Sequence, residues 1–143
     1  MSRRHRLWLA LALAAIAATA AAAGPAIGSA WARATPPGTD IAAVYLRIDN
    51  IGGPADRLLA IRSPIASSVE VHRTRIEDGM ARMRKVSTLS VAAGEVVVFA
   101  PGGLHVMLFG LNQPLVTGQT FTVEFVFELA GAQRVTVAVR DPR

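Results

Sequence analysis

The chain has 143 residues, fifteen lysines and arginines against ten aspartates and glutamates, a net charge of +5 and no cysteine. That length suggests one domain, and the missing thiols exclude disulfide redox chemistry, iron–sulfur clusters, thiolate zinc sites and blue-copper electron transfer. The positive charge does not imply nucleic-acid binding: Arg3, Arg4 and Arg6 crowd the first six residues, and without them the net charge is +2 with no long basic run.

In chain order, the basic stretch MSRRHR precedes LWLALALAAIAATAAAA, an uncharged apolar run ending in small residues before Gly24-Pro25. This is the three-part pattern of a secretory signal peptide, with an A-x-A cleavage site near Ala23. The run also approaches membrane-spanning length, so an uncleaved anchor is the alternative. The expectation is a leader over residues 1–23, and an exported domain over residues 24–143 that can bury one core.

Short strand-type runs then recur at intervals of roughly ten residues, punctuated by Gly, Pro, Asn and Asp. They are Ile41–Asn50, Arg57–Arg62, Ser68–Ile76, Met80–Val86, Thr88–Val91, Glu95–Ala100, Leu104–Leu111, Phe121–Leu129 and Gln133–Arg140. Alternation is clear where Phe121, Val123, Phe125, Phe127 and Leu129 share one parity, and where Val135, Val137 and Val139 do. That period belongs to half-buried antiparallel strands. Asp78-Gly79 between two runs is a strong hairpin signal. With no convincing amphipathic helix, the pattern predicts an all-β domain, an Ig-like antiparallel sandwich or small barrel of eight or nine short strands.

After the leader only two histidines remain, His72 and His105, with three methionines, Met80, Met83 and Met107. Ten residues separate His72 from Met83, twenty-one separate Met83 from His105, and one separates His105 from Met107. Residues two apart in a strand share a face, so His105 and Met107 stand side by side. Two imidazoles and two neutral, polarisable thioethers suit tetrahedral Cu(I). Zinc favours thiolate, more imidazole or carboxylate, and calcium or magnesium wants a carboxylate cage. Taken singly, each residue has a plainer reading: Met107 as core filler, His72 as a surface residue beside Glu70 and Arg73, Met80 as a hairpin residue or an accessory ligand. Arg73, Arg75, Arg82, Arg84 and Lys85 form either a solvated face or a basic rim for an acidic partner.

The segments VEVHRTRIEDGMARMRKV and VVVFAPGGLHVMLFGLNQPLVTGQT resemble the PCuAC family of periplasmic copper chaperones. The family carries the same His/Met spacing and the PGGxHVMLxGL context, and the likeness extends through WARATPPG (31–38) and Gly52-Gly53-Pro54-Ala55-Asp56. The resemblance implies a cupredoxin-like sandwich that binds one Cu(I) per chain through His72, Met83, His105 and Met107. It also implies a periplasmic protein delivering copper to cytochrome c oxidase, alongside a thiol-bearing partner of the Sco type, and touching the membrane only through that partner. Two departures stand out. Arg73 and Thr74 follow His72 where many members carry a further Met, and the chain stops at Arg143 without the Met/His-rich tail of some members, so a second, Cu(II) site is not implied. Pro101-Gly102-Gly103 reads as a sharp turn aiming His105 and Met107. The reading is a carrier and not an enzyme. A hydrolase built on Ser67, Ser68 and His72 lacks a nucleophile elbow. A metal-free interaction module leaves the four-residue spacing to coincidence, and a Cu(II) or Zn(II) buffer would rest mostly on histidines.

Overall fold

The structure, a computed structural model, describes residues 23–141 and 143. The leader expected over residues 1–23 therefore lies outside the described residues, Ala23 excepted. The described chain contains eleven strands and no helix: β1 (Ala26–Ile27), β2 (Ala30–Arg33), β3 (Ile41–Asp49), β4 (Asp56–Arg62), β5 (Ala66–Glu77), β6 (Met80–Lys85), β7 (Leu89–Val91), β8 (Val96–Phe99), β9 (Leu104–Leu111), β10 (Thr120–Phe127) and β11 (Gly131–Arg140). Nine of these fall on the nine runs read from the sequence. The other two, β1 and β2, are the additions. Their residues Ala26-Ile27 and Ala30-Trp31-Ala32-Arg33 are too short and too rich in alanine to show a hydrophobic period, although Ala30 and Ala32 are both buried.

The strands form one continuous ladder in the order β6-β5-β9-β8-β3-β2-β11-β10-β4-β7, and β3 also pairs with β9. The nine-residue β3 serves two neighbours on one side, β9 along Ile41–Val44 and β8 along Leu46–Asp49, with β2 and β1 on the other. The ladder folds over on itself, so that β4 comes to lie against β5. The pairings are antiparallel except β11 with β2 and β8 with β9, a mixture that the expected antiparallel sandwich did not include.

The core lies between the two halves and is filled by one parity of the longer strands other than β6. Val44, Leu46 and Ile48 come from β3, Val106 and Leu108 from β9, Val123, Phe125 and Phe127 from β10, and Val137 and Val139 from β11. At roughly 25 cal/mol per Å² of apolar surface, burying such side chains is the main force holding the sheet closed. Two buried polar residues secure its corners. Asp56 accepts the amide hydrogens of Arg57, Leu129 and Ala130 at 2.7, 2.9 and 2.9 Å. Asn50 donates from Nδ2 to the carbonyls of Pro54 and Ala92 at 2.8 and 2.9 Å.

The β5–β6 hairpin is closed by Asp78-Gly79, with φ of 52° and 75°. Two successive positive φ values are the signature of a type I′ turn, whose twist matches that of the flanking strands. Among the described residues β6 forms the margin of the sheet, pairs with β5 alone, and is exposed along its whole length.

Candidate metal centre

β9 alternates between interior and site. Leu104, Val106 and Leu108 are buried in the core, so His105, Met107 and Phe109 occupy the opposite face. On β5, Val69 and Val71 pair with Leu108 and Val106 on the core side, which leaves Glu70, His72 and Thr74 on the face of His105. On β6, Met83 pairs with Thr74 and Lys85 pairs with His72, so both share that face. His72, Met83, His105 and Met107 thus lie on one outward patch assembled from three strands.

The two histidines form its centre. They are direct cross-strand partners, with ring centroids 6.1 Å apart, and His72 also packs 5.7 Å from the ring of Phe109. His105 is buried, only 5% exposed. Met107 is half-buried between its cross-strand partners, Ala43 on β3 and Glu70 on β5. Met83 is 53% exposed on the outermost strand. Both methionines are diagonal neighbours of His72, one on each side along the strand, a relation that places Cβ atoms somewhat less than about 7–8 Å apart. Met83 thus sits on the Thr74 side of His72 and Met107 on the Glu70 side. Met80 pairs with Glu77, on the other face of the hairpin and away from His72, which leaves it a hairpin residue.

Each imidazole is tied by one nitrogen. Nε2 of His72 lies 2.8 Å from Oε2 of Glu70, and Nδ1 of His105 lies 3.0 Å from the carbonyl oxygen of Gly103. The remaining nitrogens, Nδ1 of His72 and Nε2 of His105, are buried and have no hydrogen-bond partner among the described residues. A buried ring nitrogen without a partner is costly unless something else satisfies it. Glu70 is held in turn by Lys85, whose Nζ donates to Oε1 at 2.8 Å. Lys85, and after it His72, hold the Glu70 carboxyl below the usual carboxylate range.

The Pro101-Gly102-Gly103 turn does more than reverse the chain. Gly102 takes a φ of 83°, and the Gly103 carbonyl accepts both the Thr74 amide at 3.0 Å and His105 Nδ1. Sequence reading assigned the turn but not this carbonyl. It also passed over Glu70 and Lys85 as partners of His72, although the two-residue spacing of Glu70 from His72 put them on one face. The arginines it grouped with Lys85 lie elsewhere: Arg73 pairs with Arg84 and Arg75 with Arg82 on the opposite side of the hairpin, where Glu77 forms ion pairs with Arg82 and Arg84. Among the described residues no group of three or more His, Cys, Asp or Glu is positioned to hold a metal ion.

The overall architecture has known counterparts. Residues 26–139 match the LpqE-like family, described as "Putative lipoprotein LpqE-like". The chain is 33% identical over 119 residues to "Putative lipoprotein Lxx21020" of Leifsonia xyli subsp. xyli, covering 82% of this chain and 70% of that protein. It is 29% identical over 100 residues to "Uncharacterized protein RP573" of Rickettsia prowazekii, covering 69% of this chain and only 55% of that protein. Among solved structures, the "Copper-bound PCuAC domain from PmoF2" superposes with a TM-score of 0.71 at 27% identity, over 85% of this chain and 97% of that one. The "Solution structure of CuI-DR1885 from Deinococcus Radiodurans" superposes with a TM-score of 0.68 at 27% identity, over 88% and 84%. The all-β, cupredoxin-like architecture is common to them. The chain belongs to the LpqE-like family and is a domain of the PCuAC type.

Proposed function

We propose that the domain binds a single Cu(I) ion through His72, Met83, His105 and Met107 and passes it to an acceptor protein. The observation that carries this reading is the pair of facing histidines whose unpartnered, buried nitrogens share a surface with two thioethers. Thioether and imidazole together form a soft, uncharged donor set, which suits a monovalent d¹⁰ ion. The likeness to domains described as copper-bound and as carrying Cu(I) supports the same ion here.

Carriage, not catalysis, is the role that fits an exposed rim. Met83 stands where an incoming ligand can replace it, and thioethers are weak enough donors to be exchanged one at a time. The ion would then move toward whichever protein holds it more tightly. The leader-like segment and the lipoprotein-like family favour an exported, periplasmic setting. The acceptor we propose there is cytochrome c oxidase or a Sco-type thiol protein serving its assembly.

An anaerobic Cu(I) titration against a chromophoric chelator tests the ligand set. The wild-type protein should take up one equivalent with sulfur neighbours in X-ray absorption. Met83→Ala combined with Met107→Ala should weaken binding at least a hundredfold while the fold persists; unchanged affinity would reject these ligands.

A further inference from the structure

We propose that Glu70, anchored by Lys85, is a positioning residue that locks His72 into the Nε2–H tautomer, so that the ion meets two unlike nitrogens, Nδ1 of His72 and Nε2 of His105. The inference rests on the Cu(I) reading above and specifies its donor atoms.

A neutral imidazole has one N–H donor and one acceptor nitrogen, and which is which depends on what each nitrogen faces. An ionised carboxylate only accepts. The 2.8 Å approach of His72 Nε2 to Glu70 Oε2 therefore places the proton on Nε2 and leaves the lone pair on Nδ1. A backbone carbonyl also only accepts. The 3.0 Å approach of His105 Nδ1 to the Gly103 oxygen places that proton on Nδ1 and leaves the lone pair on Nε2. The two nitrogens left with lone pairs are the same two that are buried without a partner.

The two locks differ in kind. That of His105 is backbone, fixed by a turn whose carbonyl also holds the Thr74 amide. That of His72 is a side chain, and it is itself fastened. Glu70 sits two residues before His72 on β5, Lys85 lies directly opposite His72 on β6, and the 2.8 Å bond between Lys85 and Glu70 pins the carboxylate against the ring. Outer partners of this sort orient ligating imidazoles and typically change metal affinity 10–100-fold when removed.

Long-range ¹H–¹⁵N correlation spectra of the ¹⁵N-histidine-labelled full chain test the proposal, combined with Cu(I) competition titrations. The apo protein should show His72 protonated at Nε2 and His105 protonated at Nδ1, and Cu(I) should shift Nδ1 of His72. Glu70→Ala should abolish the slowly exchanging Nε2–H signal of His72 and weaken Cu(I) binding about 10–100-fold. Glu70→Gln, whose amide oxygen still accepts, should keep the signal and bind within about threefold of wild type. Lys85→Met should fall between the two, and it carries the comparison if Glu70→Ala does not fold. A wild-type His72 protonated at Nδ1, or a Glu70→Ala protein with unchanged tautomer and affinity, would overturn the proposal. Failure of the ligand reading shows separately, as a His72→Ala protein that binds Cu(I) as tightly as wild type.

Discussion

Thr74 stands directly opposite Met83 across the β5–β6 hairpin, which sets Met83 on the face of His72 yet at the outer margin of the sheet. Affinity and stability should therefore separate at this residue. Met83→Ala should change stability by less than about 0.5 kcal/mol, as for an exposed position, while lowering Cu(I) affinity at least tenfold. Met107→Ala, half-buried between Ala43 and Glu70, should cost about 1–2 kcal/mol of stability as well. Urea unfolding midpoints set beside chelator competition would resolve the two behaviours; parallel losses in both variants would contradict it.

The hairpin turn should tune the same site from a distance. Gly79 has a φ of 75°, and an alanine there pays about 1 kcal/mol for the left-handed conformation. Because β5 is the one neighbour of β6 among the described residues, that cost falls on the hairpin and not on the core. Gly79→Ala should speed amide exchange along Met80–Lys85 and weaken Cu(I) several-fold, with exchange in Leu104–Leu111 unchanged. Uniform acceleration throughout the domain would show the hairpin is not a separate unit.

Leu108 offers the opposite case. It is fully buried, and it points away from the ligands between Val69 on β5 and Ala42 on β3. Leu108→Ala should destabilise the domain by about 2–5 kcal/mol. Below its unfolding transition, the remaining folded protein should bind Cu(I) with wild-type affinity. A loss of affinity in the folded population would mean that the core face transmits its packing to the site.

Acid should act through Asp56. Burial works to raise the pKa of this carboxyl, but the amides of Leu129, Ala130, Arg57 and Glu128 outweigh it and hold the value below the ordinary 3.8. A carboxyl depressed by folding stabilises the protein fully above its unfolded pKa, and that contribution is lost as pH falls through the folded value. Wild-type stability should therefore fall steeply below about pH 4. Asp56→Asn should be about 1–3 kcal/mol less stable at neutral pH, with a flatter profile in acid. Chemical denaturation across that pH range measures both, and superimposable profiles would refute the assignment.

Eight strands were legible because Val, Ile, Phe and Leu recur along them between turn residues, and β6 because the Asp78-Gly79 turn marks it as the second arm of a hairpin. β2 was not, since its inward residues Ala30 and Ala32 carry too little apolar surface to mark a period. Its parallel pairing with β11 joins segments a hundred residues apart, which no local pattern encodes. At the site, the shared face of His105 and Met107 followed from parity alone. The adjacency of His72 and His105 did not, because it depends on β5 pairing with β9 in preference to its other sequence neighbour β4. Glu70 was misjudged for a related reason. Beside a histidine in sequence it reads as a mark of solvent, yet with β6 on one side and β9 on the other, His72 is only 14% exposed in its side chain and the carboxylate is its partner.

β9 lies inside the ladder, flanked by β5 on one side and by β8 and β3 on the other. His105 and Met107 are consequently mounted on a jaw whose spacing is that of a strand paired along both edges. Met83 rides on a jaw with a single hinge partner, and strands so poorly flanked open first. On the Cu(I) reading proposed above, loading and unloading would follow a built-in sequence: the grip slackens at the rim, and the deep imidazole is the last to let go.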